Sequence, residues 1–160
     1  MSPVREQTLR IEDVKVGDAL PELEIPLTRT VIVSTAIATR DYQDVHHDPS
    51  LAVERGSKDI FMNILSTNGF VGRYVTDWSG PGTVIESVSI RLGAPNYPGD
   101  TMVFSGEVTD VTPPASPGER GKVTVALVGR NSLGSHVTGT VRLSLPSGGL
   151  FHLAGNEGGH

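Results

Sequence analysis

The chain has 160 residues, 37% of them hydrophobic, enough for one globular domain whose core folds without disulfides or a structural metal. It contains no cysteine, which excludes thiol nucleophiles, disulfide frameworks and cysteine-ligated zinc or iron–sulfur centres. A net charge of −5, with the 13 lysines and arginines scattered, excludes the basic footprint of a nucleic-acid binder, and any anionic ligand would need local cations or helix N-termini.

The N-terminal stretch MSPVREQTLRIEDVKVGD is polar, with no apolar segment of the kind that opens a secretory signal. No later stretch approaches the roughly 18 apolar residues of a membrane span, so a soluble cytoplasmic protein with no membrane partner is expected. An extended lead runs from Glu24 to Val33, and Ser34 stands as candidate N-cap of a short helix through TAIATRDYQ that ends near Asp41. After a polar loop, Asp48 followed by Pro49 signals a second N-cap, opening a short helix that ends near Gly56.

Ile60, Phe61, Ile64, Leu65, Phe70, Val71 and Tyr74 are spaced by threes, fours and ones, which predicts a largely buried helix from about Met62 to Asp77. Phe61, Leu65, Phe70 and Tyr74 are expected to pack in the core. Past Ser79-Gly80-Pro81-Gly82 the period drops to two, and four strands are predicted over roughly 83–92, 101–111, 121–131 and 136–145. Turns at Pro98-Gly99-Asp100, 113–121 and 132–135 join them. The glycine-rich segment from 147 to 160 has the composition of a flexible tail, which leaves 1–146 as the domain. One strand and helix followed by antiparallel strands imply an α+β domain, with a curled sheet wrapped around the long helix.

The densest polar cluster is Arg40-Asp41-Tyr42-Gln43-Asp44-Val45-His46-His47-Asp48, between one helix end and the next helix start. Asp41 and His46 are five apart, so across a helix end and a tight turn both side chains can reach one small volume and share a water. An imidazole beside a carboxylate can take and return a proton. The residues alone leave other readings open. Asp41 and Asp48 also suit caps or turns with solvated histidines, and His46, His47, Asp44 and Asp48 are conceivable ligands of a borderline cation, although neighbouring histidines point apart and no HExxH motif is present. There is no GxSxG elbow, phosphate loop or dinucleotide fingerprint. His136 reads as a strand-end residue.

Residues 38–48, ATRDYQDVHHD, resemble the hydratase motif of the MaoC-like family, Asp-x-Asn-Pro-Ile/Leu-His-x-Asp, with Asp41, His46 and Asp48 matched and Gln43-Asp44 in place of Asn-Pro. Arg91 to Thr101 is similar to the family segment in which a strand ends at proline, turns at Gly-Asp and returns. The stretches GSKDIFMNIL, RYVTDWSGPG and LVGRNSLGSHVT are most similar to the small catalytic subunit of actinobacterial steroid side-chain enoyl-CoA hydratases.

The resemblance, over about Ile11 to Pro146, implies a single hotdog fold and hydration of a trans-2-enoyl-CoA, with Asp41 and His46 catalytic. It implies no metal and no cofactor beyond the CoA of the substrate. It also implies a second MaoC-like chain as partner in a hetero-oligomer of α2β2 type. Where the family carries His-Gly at the start of the long helix, this chain has Met62-Asn63, which makes the backbone N–H of Asn63 the oxyanion candidate. A hotdog thioesterase and a non-catalytic acyl-CoA-binding hotdog subunit are the rival readings.

Overall fold

The structure is a computed structural model and describes residues 4–148. Five antiparallel strands, β1 (Ala19–Pro26), β2 (Val84–Leu92), β3 (Thr101–Thr112), β4 (Gly121–Asn131) and β5 (Gly134–Leu145), form one sheet in the order β1-β3-β4-β5-β2. Three helices, α1 (Arg29–Ala38), α2 (Pro49–Glu54) and α3 (Ile64–Ser79), lie between β1 and β2 in the chain. Among the described residues β1 and β2 are the sheet edges, and each, β2 included, has one row of main-chain donors and acceptors not paired with another strand.

Period-two patterning on the central strands fills one face. Phe104 and Val108 of β3, Val123 and Val125 of β4, and Val141 and Leu143 of β5 are buried on the side that receives Val71, Tyr74 and Val75 of α3. Covering each such side chain stabilises the fold by about 1.5–3 kcal/mol. The Tyr74 ring stacks on Phe104 with centroids 5.3 Å apart, and it comes so close to β3 that a Cβ on Gly106 would lie 3.3 Å from its edge. Close approach of helix to sheet there depends on a residue without a side chain.

The long helix and the last four strands fall where the periodicity puts them, to within two residues at each end. α1 does not. The extended stretch ends at Pro26, and the cap is Thr28, whose hydroxyl accepts from the Val31 N–H at 3.0 Å, whereas Ser34 lies inside the helix. The β-branched run Thr30 to Val33 favours strand locally, but Ile32 and Ala36 are buried while Ser34 between them is exposed, a pattern that a helix produces and a strand, with all three on one face, does not. Leu65 is a second correction. It is 48% exposed and Ile64 is 50% exposed, because both lie on the outer side of the first turn of α3, whose inner side buries Ser66 and Thr67. Tyr74 is buried as expected, and Phe61 and Phe70 are half-buried. Apart from Ser147 and Gly148, the segment read as a tail lies outside the described residues.

Candidate active site

Asp41 is delivered by the way α1 ends. Thr39 is the C-cap and Arg40 takes a left-handed conformation, with φ 57°. The Arg40 N–H then donates to the Ile37 carbonyl at 2.9 Å and the Asp41 N–H to the Ala36 carbonyl at 3.0 Å, the two bonds of a Schellman motif. That motif reverses the chain and sets Asp41 beside the N-terminus of α3. Its Oδ1 accepts from the Gln43 N–H at 3.3 Å, and its Oδ2 accepts from Asn63 Nδ2 at 2.9 Å. The Asn63 amide, followed by the Gln43 N–H and the nearby His46, holds the carboxyl below the usual aspartate range against the opposing effect of burial.

A single 3-10 turn over Asp44–His46 brings in the imidazole. His46 is buried while His47 is exposed, so the adjacent rings do point apart. Nδ1 of His46 lies 2.7 Å from the Phe61 carbonyl, and because a carbonyl can only accept, Nδ1 carries the proton. The Phe61 ring meets the imidazole edge-on, with centroids 4.9 Å apart. In the neutral ring Nε2 then faces Asp41 Oδ2 at 3.4 Å with its lone pair. Two acceptors aimed at one point suit a molecule with two protons to donate, and a water in ordinary contact, about 2.8 Å from each, spans that gap.

Both groups open onto a cleft of about 410 Å³, walled on one side by Phe61 to Ile64 and on the other by Leu92, Gly93 and Pro95. Its size falls in the range of about 300–1,000 Å³ usual for small-molecule sites. The Phe61 and Met62 N–H groups are spent on the Val45 and Asn96 carbonyls, whereas the Asn63 N–H has no backbone acceptor among the described residues. Asn63 is the N-cap of α3, so this free donor sits at the positive end of the helix dipole and borders the cleft.

No family model matches the chain. It is 58% identical over 130 residues, 81% of this chain and 95% of the relative, to the 3-oxo-4,17-pregnadiene-20-carboxyl-CoA hydratase beta subunit of Mycobacterium tuberculosis. The chain belongs to the MaoC-like hydratase family. A chain in the crystal structure of the ChsH1–ChsH2 complex from Mycobacterium tuberculosis is 56% identical to this MaoC-like chain, with a TM-score of 0.76 over 82% of this chain and 98% of that one. The (R)-hydratase PhaJ1 of Pseudomonas aeruginosa shares the hotdog fold at 20% identity, with a TM-score of 0.78 over 89% of this chain and 88% of that one.

In this MaoC-like chain the structure places Asp41, His46 and Asn63 on the lining of one cleft. Other residues of the polar cluster are engaged elsewhere. Asp44 pairs with Arg55 at 2.6 Å, and Asp48 caps α2 by accepting from the Ser50 and Leu51 N–H groups at 2.9 and 3.1 Å. Among the described residues no three His, Asp or Glu side chains gather as a metal site.

Two contributors were missed. The Asn63 side chain, read only for its main chain, contacts Asp41 directly. An Asn just before an apolar periodic run is a cap signal that could have drawn attention to it. His136 is buried in the cleft wall, where Nδ1–H donates to the Ala94 carbonyl at 2.7 Å and Nε2 accepts from the Thr67 hydroxyl at 2.8 Å. It ties the segment leaving β2 to the first turn of α3, and burial lowers its pKa against the opposing effect of the Ala94 carbonyl. Nothing local in the sequence signals a partner that distant.

Proposed function

We propose that the chain hydrates a trans-2-enoyl-CoA to the 3-hydroxyacyl-CoA, with a steroid side-chain thioester as substrate. The observation that carries this reading is the convergence of Asp41 Oδ2 and His46 Nε2, 3.4 Å apart, on the cleft that also holds the Asn63 N–H. A water donates one hydrogen to each acceptor. His46 Nε2 takes a proton as the water oxygen bonds to Cβ, and the electron pair of the alkene moves onto the thioester as an enolate. The Asn63 N–H donates to the enolate oxygen at the helix N-terminus. The proton on Nε2 then passes to Cα, which restores the neutral imidazole and leaves one water added across the double bond. No cofactor enters that balance beyond the CoA of the substrate.

The relative bearing a steroid carboxyl-CoA name supports the acyl class, and the two-subunit complex that contains a similar chain supports a second MaoC-like partner. The open edge of β2 offers such a chain a place to pair. An α2β2 assembly in the cytoplasm, where acyl-CoA is made and consumed, completes the proposal; no helix among the described residues is long and apolar enough to cross a membrane.

The test is to copurify the chain with its partner and supply trans-2-enoyl-CoA thioesters from short linear to steroid chains. Loss of enoyl absorbance and a mass gain of one water, greatest for the steroid thioesters, are expected. Release of free CoA thiol without hydration would instead make the protein a thioesterase.

A further inference from the structure

Asn63 bonds to more of the site than its main chain does. Its Oδ1 accepts from the Ser66 N–H at 2.9 Å and from the Ser66 hydroxyl, so Nδ2 is the end of the amide that faces Asp41. Nδ2 gives one proton to Asp41 Oδ2 at 2.9 Å and the other to Thr39 Oγ1 at 3.0 Å. Every polar atom of the side chain is engaged, and the residue is 2% exposed.

We propose that the Asn63 side chain is the positioning residue of the water-holding pair: its amide locks the Asp41 carboxylate in the orientation that faces His46 and ties that orientation to the first turn of α3. The inference rests on reading Asp41 and His46 as the pair that activates water. The amide has one available orientation, because a flip would set Nδ2–H against the Ser66 N–H, donor to donor. Asp41 itself arrives on a turn at the end of α1, and apart from Asn63 the only hydrogen bond to its carboxylate among the described residues is the longer one from the Gln43 N–H, at 3.3 Å. The depressed pKa of Asp41, caused first by the Asn63 amide, points the same way.

One consequence is chemical. A proton placed on Oδ2 of Asp41 would stand against an Asn63 N–H that has nowhere else to turn, whereas a proton on His46 Nε2 displaces no hydrogen bond. Asn63 thus makes Asp41 a fixed acceptor and leaves His46 to carry the proton. A second consequence is geometric. The donor facing the thioester oxygen and the holder of the carboxylate facing the water are two ends of one residue, so the water and the oxyanion site keep a constant separation.

The test is a carboxyl-carbon NMR titration of Asp41 in the full chain within its native complex, for the unmodified protein, N63S and N63D, with thermal unfolding as the check on folding. Serine and aspartate both retain an oxygen that caps α3. The Asp41 midpoint should rise in N63S and rise further in N63D, where an anion replaces the donor. Hydration should fall about 10- to 100-fold in kcat, with KM changed far less. In the unmodified protein, the Asn63 side-chain amide signals should shift with the Asp41 midpoint. A midpoint unmoved in both variants, or amide signals indifferent to the Asp41 titration, would overturn the proposal. These NMR readings do not depend on turnover, so a failure of the hydratase reading would be seen separately.

Discussion

His46 Nε2 lies 3.4 Å from Asp41 Oδ2, while the other ring nitrogen donates to the Phe61 carbonyl at 2.7 Å. The second contact fixes what the first can do. With Nδ1 committed as a donor, the neutral ring must present a lone pair to the carboxylate, and the two groups cannot bond to each other directly. They need a shared donor. Nitrogen-15 spectra of the imidazole above its titration should therefore give a protonated Nδ1 and an unprotonated Nε2. The reverse tautomer would be incompatible with water activation as described.

The pH dependence of stability should expose His136. Its folded-state pKa lies below its ordinary value because it is buried among Thr67, Ala94 and the cleft wall. The unfolded chain therefore binds more protons than the folded one in the window below that ordinary value of 6.5, and stability falls as pH drops through it. Replacing His136 with glutamine removes this contribution. Melting temperatures followed from about pH 7 down to about pH 5 should decline less steeply in H136Q than in the unmodified protein. Parallel curves would mean that another group is responsible.

Arg40 holds a left-handed conformation that glycine adopts at no steric cost. The side chain is exposed, so little packing is lost with it. A non-glycine residue there carries about 1–2 kcal/mol of strain, and glycine gives back part of that through the freer unfolded chain. R40G should be more stable by about 0.5–1 kcal/mol in urea unfolding, with the Schellman motif intact. A loss of stability would show that the arginine side chain makes a contribution outweighing its backbone strain.

Much of this architecture was legible as periodicity. Strands β3 and β4 alternate so regularly that the sequence places them to within a residue of their observed ends, and Asp48-Pro49 marks the start of α2. The start of α1 was hidden, because Val31, Ile32 and Val33 favour strand locally, and the helical pattern of Ile32 and Ala36 buried around an exposed Ser34 emerges only in the fold. The exposed Leu65 misled because the first turn of α3 buries Ser66 and Thr67, two hydroxyl side chains that an apolar stripe does not pick out.

At the site, the five-residue spacing of Asp41 and His46 was readable, and the means of convergence was not. It depends on a left-handed arginine and on a carbonyl from Phe61, neither of which has a sequence signature. Asn63 and His136 act on partners 22 and 69 positions away, a pairing that only the folded sheet and α3 create.

Water activation at this site requires both acceptors. Asp41→Asn and His46→Gln should each fold and assemble with the partner, and each should lose hydration of the steroid enoyl-CoA by about 100- to 10,000-fold in kcat, the usual scale for a missing acid–base group. Near-normal turnover by either folded variant in a stopped assay would contradict the assignment of that pair as the water-activating groups.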